Sequence, residues 1–184
     1  MRFSWPQAVL AIAAGIACAA LWHGGPRRGA GEGTAPALPY SDTKGGTHSL
    51  AQPAKPAVVV LWVTPCSYCT RAMNVLDRLR ALYPEEDLDV VGFYLNAAED
   101  ADVERMAAAE RHRFTMARGQ PTGPYVEVLT KGFNFRGTGR DIYVVGKDGR
   151  YVAVDSSDLS TPDYAILQKL RVLLINSHGL KERG

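Results

Sequence analysis

The clearest pattern in the chain is an unbroken apolar run over residues 57–63. Such a run reads as a strand covered on both faces. After Thr64 and Pro65 the period changes. Cys69, Met73, Leu76, Leu79 and Tyr83 recur three or four positions apart, which predicts a helix over 66–83 with one buried stripe. Pro84 ends it. Residues 88–95 form a second apolar strand. Residues 98–113 are rich in Ala and Glu and read as a helix, with Asp100 and Asp102 suited to its first turn. Gly119, Pro121, Gly123 and Pro124 then break the chain. Residues 125–129 and 133–136 are expected to pair as a hairpin across residues 130–132. Phe133 and Phe135 would share one face of it, as hairpin core rather than as a peptide-binding patch. A second hairpin is predicted from residues 142–145 and 151–154, which flank Lys147, Asp148 and Gly149. Thr161 and Pro162 open a last helix reaching about Asn176. There is no internal repeat. The order is strand, helix, strand, helix, antiparallel pair, helix. It specifies an α/β domain, a small mixed sheet with helices on both faces.

The first 56 residues read differently. Residues 8–22 are apolar and uncharged, with Arg2 before them and Arg27 and Arg28 after. About 15 apolar residues is long for a signal core and short for a spanning helix, which needs roughly 17–25. Three readings stay open: a signal peptide cleaved near Ala17, Cys18 and Ala19; an uncleaved anchor; or a lipoprotein using Cys18. The flanking arginines taken alone would hold the following chain in the cytoplasm, but terminal stretches of this length are mostly export signals. Residues 24–56 are rich in Gly, Pro, Ala, Ser and Thr and poor in large apolar residues. They are expected to be a flexible tether that cannot offset its own chain entropy. The expected organisation is therefore signal or anchor over 1–23, linker over 24–56 and one domain over 57–184.

Charge narrows the function. The chain carries a formal +2, but residues 57–184 hold sixteen Lys and Arg against seventeen acids. A near-neutral domain has no basic footprint for nucleic acid. The three cysteines are too few for a disulfide scaffold. Two of them, Cys66 and Cys69, form a CxxC pair placed by the pattern at the start of a helix. A helix N-terminus carries partial positive charge and unpaired N–H groups, so a thiolate there is stabilised and becomes nucleophilic near neutral pH. The chemistry implied is thiol–disulfide exchange. Zinc would need two further ligands at regular spacing, and His48, His112 and His178 offer none. His112, flanked by Arg111 and Arg113, is expected to be solvated.

The strand, Trp62 four residues before the first cysteine, the CxxC pair and the late hairpin before a last helix resemble the thioredoxin superfamily. The likeness is greatest to exported, membrane-tethered oxidoreductases of the Dsb and TlpA-like kind. It covers about residues 57–176. The resemblance implies Cys66 as the attacking nucleophile and Cys69 as the resolving cysteine, with Pro65 and Tyr68 shaping the contact surface. It implies no organic cofactor, because the cysteine pair carries the electrons. Partners would be cysteine-containing proteins and a redox-partner protein. The location would be periplasmic or otherwise extracytoplasmic.

Two positions depart from the family. Its substrate-facing proline, usually cis, falls here at Arg140 or Asp141. A cis bond before a non-proline residue costs roughly 2.5–4 kcal/mol, so a trans bond is expected. Pro121 would serve only if residues 125–129 were the following strand. Arg140 either stabilises the Cys66 thiolate or pairs with Asp141 on the surface. The buried carboxylate of thioredoxins, six residues before the first cysteine, is replaced by Val60. Copper-carrying relatives add a histidine before the late strand, and residues 137–140 supply none. The missing proline and the missing buried carboxylate keep a second reading open: a redox-inactive accessory or binding protein of an envelope assembly, such as a secretion or conjugation apparatus.

Overall fold

The computed structural model describes residues 31–41, 46–63, 66–95, 112–117, 124–135 and 141–183. The apolar run forms β4 (Ala57–Trp62), and all six of its residues are buried. It lies at the middle of a six-stranded sheet of order β1-β8-β7-β4-β5-β6. β5 (Asp89–Tyr94) runs parallel to β4 with Val59 opposite Val91, and β6 (Thr115–Ala117) runs parallel to β5. β7 (Asp141–Val145) is antiparallel to β4 with Val60 opposite Ile142, and β8 (Arg150–Asp155) closes the predicted hairpin. The turn works because Gly149 takes φ +74°, a conformation open to glycine at little cost.

Period-2 alternation divides β4 between two cores. Val58, Val60 and Trp62 face α1 (Ser67–Leu82) and α3 (Asp163–His178), packing on Cys69, Met73, Leu76, Leu79, Ile166 and Leu170. Ala57, Val59 and Leu61 face the opposite side with Phe93, Tyr125, Leu129, Phe133, Tyr143 and Tyr151. The predicted first and last helices are observed. Pro162 precedes α3 in extended conformation, and Gly179 ends it at φ +66°, the usual left-handed helix terminator.

Residues 125–129 correct the sequence expectation. They belong to a helix, α2 (Pro124–Gly132), not to a hairpin strand. Tyr125, Leu129 and Phe133 are buried and lie four apart, a helical stripe that also reads as β-rich composition in so short a segment. Phe135 is only half-buried and belongs to no strand. The alternative that set Pro121 before a strand at 125–129 falls with it. The helix expected over 98–113 lies almost entirely outside the described residues.

The span read as a tether also differs in its described part. β1 (Glu32–Thr34) adds to the edge of β8, with Glu32 opposite Val152. β2 (Pro39–Ser41) and β3 (Thr47–Ser49) form a small hairpin. Ala35, Tyr40 and Leu50 are no more than 4% exposed. Tyr40 sets its ring edge-on to Phe93 at 5.1 Å, and Ala35 donates its N–H to Gly149 O at 2.8 Å. Few apolar residues suffice when each fills a place in an aromatic core. The apolar segment over 8–22 lies outside the described residues. Among the described residues no helix is long and apolar enough to cross a membrane.

Candidate active site

β4 delivers the chain to the cysteines at the C-terminal end of the sheet. Cys66 is the N-cap of α1, in extended conformation (φ −156°, ψ 107°), and its Sγ accepts the backbone N–H of Cys69 at 3.1 Å. The sulfur thus does what a serine or aspartate oxygen does at other helix starts. The first turn of α1 holds no acidic residue, so no side-chain carboxylate there opposes the helix dipole at this sulfur. Cys66 and Cys69 are joined in a disulfide with Cα atoms 5.3 Å apart, within the ordinary range. The two sulfurs differ in access. Cys66 is half-buried, whereas Cys69 is 2% exposed and belongs to the core. Cys66 is therefore the more accessible of the two, and Cys69 is packed into the core behind it.

Tyr68 stands half-buried in the first turn of α1, between the cysteines. Asp141 begins β7, one step beyond the Ile142–Val60 pair, at the end of the sheet where β4 leads to Cys66. The register also places Asp141 opposite Asp155. Pro65 and Arg140 lie outside the described residues. Val60, at the position of the thioredoxin carboxylate, is fully buried among apolar side chains.

Sequence reasoning missed several contributors. Tyr94 pairs in register with Trp62 across β4 and β5, and the two rings stand 4.5 Å apart. Val63 and Tyr94, like Cys66, are partly buried and pack on the core beneath the disulfide. Trp62 is 1% exposed, and its Nε1 has no hydrogen-bond partner. An aromatic at the end of each parallel strand was the available signal. Arg71 gave none: one turn into α1, it donates to Asp163 Oδ1 at 2.7 Å and to the Asp158 carbonyl at 2.8 Å. These bonds fix the loop between β8 and α3 against the helix that carries the cysteines. Asp158 organises that loop by accepting from the Ser160 and Thr161 hydroxyls, which hold its carboxyl down at about 2. His112 is another correction. Its side chain is 3% exposed, with Nδ1 2.6 Å from Asp77 Oδ2 of α1, and it is not solvated. It stacks near Phe114 just ahead of β6, a strand the sequence pattern did not reveal. Among the described residues no group of three or more His, Cys, Asp and Glu side chains could hold a metal ion.

The Redoxin family model matches residues 30–132, more than half of the chain. The chain belongs to the Redoxin family. The match begins at residue 30, so it takes in β1, β2 and β3 as well as the cysteine pair. Solved structures agree on a thioredoxin-like fold. A thiol:disulfide interchange protein from Bacteroides sp. superposes with a TM-score of 0.60 at 19% identity, covering 78% of this chain and 89% of that one. A secreted Mycobacterium tuberculosis disulfide oxidoreductase, homologous to E. coli DsbE, gives 0.53 at 16%, covering 74% and 96%. BsSco, of the Sco family of cytochrome c oxidase assembly proteins, gives 0.52 at 15%, covering 75% and 92%. Comparison of the sequence with curated proteins finds no match. This Redoxin-family chain thus combines a thioredoxin-like sheet with a cysteine pair at the start of α1.

Proposed function

We propose that the protein is an extracytoplasmic thiol–disulfide oxidoreductase that exchanges disulfides with envelope proteins. The observation that carries the reading is the asymmetric disulfide. Cys66 is accessible and capped by a backbone N–H, while Cys69 is buried behind it. In the reducing direction the Cys66 thiolate attacks a disulfide of the protein substrate. A mixed disulfide forms and one substrate thiolate leaves. Cys69, once deprotonated, attacks the Cys66 sulfur. The 66–69 disulfide forms and the second substrate thiolate leaves, so two electrons pass to the substrate. The oxidising direction is the reverse. Tyr68, Pro65 and either Arg140 or Asp141 border the surface on which the partner chain lies. The N-terminal apolar segment exports the domain and either anchors it or is removed. The secreted character of the mycobacterial neighbour fits this placement.

The test is a trap. Cys69→Ala should accumulate mixed disulfides that reducing agents dissolve, and Cys66→Ala should form none. One observation favours a second reading. With Val60 buried where a proton acceptor would stand, a structural disulfide in an accessory protein would also be served. If the 66–69 pair fails to equilibrate with glutathione, and function survives both substitutions, the accessory reading replaces the catalytic one.

A further inference from the structure

Five large apolar side chains stand exposed among the described residues: Val128, Leu159, Tyr164, Val172 and Ile175. Four of them belong to one region. Tyr164 (65% exposed), Val172 (53%) and Ile175 (42%) lie on α3, and Leu159 (62%) lies in the loop just before it. At 3.6 residues per turn, Tyr164, Val172 and Ile175 fall within an arc of about 80°, which also holds the exposed Gln168. The buried residues Ile166, Leu170 and Leu174 occupy the opposite side. The solvent side of a surface helix is ordinarily polar, and scattered apolar residues need no explanation, but a stripe does. Beside it runs a largely apolar groove, where Val172 and Leu173 face Val152 and Val154 of β8, with Asp155, Gln168 and Lys169 also lining it.

The path of the chain says what covers this face. The carbonyl of Gly31 accepts the N–H of Ala153 at 2.8 Å. Since Glu32 lies opposite Val152 in an antiparallel pair, Gly31 stands at the end of β1 nearest Val154 and Asp155, which line the groove. Only eight residues, 23–30, separate Gly31 from Trp22 at the end of the apolar segment, and fully extended they reach at most about 29 Å. Two of the eight are Arg27 and Arg28, which suit anionic headgroups. Tyr164 has the amphipathic ring favoured at a bilayer surface, and Lys169 can lay its alkyl stem on apolar surface and keep its ammonium in water.

We propose that the exposed stripe of α3, with Leu159, is the face the domain lays on a lipid bilayer. The inference rests on the anchor reading of residues 8–22. It places the disulfide near the membrane, because the Arg71–Asp163 bond ties the N-terminal end of α3 to the first turns of α1, where Cys66 lies.

The experiment uses the full chain with Cys18→Ala, kept oxidised so that the 66–69 pair does not react. An environment-sensitive fluorophore is attached after Val172→Cys or, for comparison, after Val128→Cys on α2. The carrier is phosphatidylcholine–phosphatidylglycerol vesicles with spin-labelled acyl chains. The expected result is co-flotation, with emission at position 172 quenched several-fold more than at 128, and loss of that difference on adding Ile175→Glu. Co-flotation with equal emission at both positions would overturn the proposal while leaving the anchor reading intact. Failure to float would end the anchor reading and the proposal with it. A signal at 172 that depends on protein concentration and not on lipid would assign the face to a second copy instead.

Discussion

On the side of the sheet that carries the cysteines, polar groups are tied down. Arg71 is held by Asp163 and the Asp158 carbonyl. Arg80, 7% exposed, donates to the carbonyls of Leu88 and Tyr83. The Tyr83 hydroxyl donates to Glu182, whose carboxylate also receives Arg171. Only Trp62 Nε1 is left over there, among the described residues. On the other side the core is aromatic, with Phe133, Tyr143 and Tyr151 in mutual contact. Two of its tyrosine hydroxyls, on Tyr125 and Tyr143, are buried without a partner, and burial pushes both phenols up. On the first side Arg71 ties α1 directly to α3, so the position of the helix that carries Cys66 follows from fixed geometry. The second is held by area, and among the described residues it carries two unpartnered buried polar groups against one on the first side.

The largest test of this contrast lies in the segment that covers the aromatic side. Leu50→Ala should cost about 2–5 kcal/mol, read from a urea midpoint, because Leu50 is 1% exposed. A change within about 0.5 kcal/mol, as for an ordinary surface position, would make residues 46–56 a passive linker after all. Next is Arg71→Ala, which removes charged hydrogen bonds worth about 1.5–3 kcal/mol. It should also raise amide exchange in residues 157–162, with the aromatic side unaltered. The same substitution on the two sides should then have opposite signs. Tyr143→Phe removes an unpartnered hydroxyl and should stabilise by roughly 1 kcal/mol, whereas Tyr83→Phe breaks a made bond and should cost roughly as much. Equal effects would erase the distinction.

The smallest effect is with pH. Arg171 holds the Glu182 carboxyl below its ordinary value of 4.5. A carboxylate depressed by folding stabilises fully above its unfolded value, and loses that contribution as pH falls through the lower folded one. Acidification past 4.5 should therefore loosen residues 179–183, which reach α1 through the Arg183 N–H and the Leu82 carbonyl. Exchange of those amides should rise before that of β7 does.

These tests also separate what was legible in the sequence from what was not. β4, α1, the late hairpin and α3 were legible because each has a long period or a strong turn: a seven-residue apolar run, a five-member stripe, a glycine at positive φ. The cysteine pair was legible because its spacing and its place after a strand are local facts. α2 was misread because Tyr125, Val126 and Val128 favour strand by composition, and nine residues give a period of 3.6 little room. β1, β2 and β3 were missed because three-residue strands have no period, and their places are set by β8 and Phe93, far away in sequence. Arg71, Asp158 and Asp163 are ordinary surface residues until the fold brings positions 87 and 92 apart into contact.

β1 has one more consequence. β8 would otherwise be the last strand of the sheet, offering a row of unpaired N–H and C=O groups to any passing strand. Three residues of β1 occupy part of that row, and the loop beyond them lays Ala35 and Pro36 beside Gly149 and Gly132. A version of the protein begun at residue 57, where the apolar pattern starts, would keep its cysteines and lose this guard. It should go into inclusion bodies, while one begun at residue 30 stays in solution.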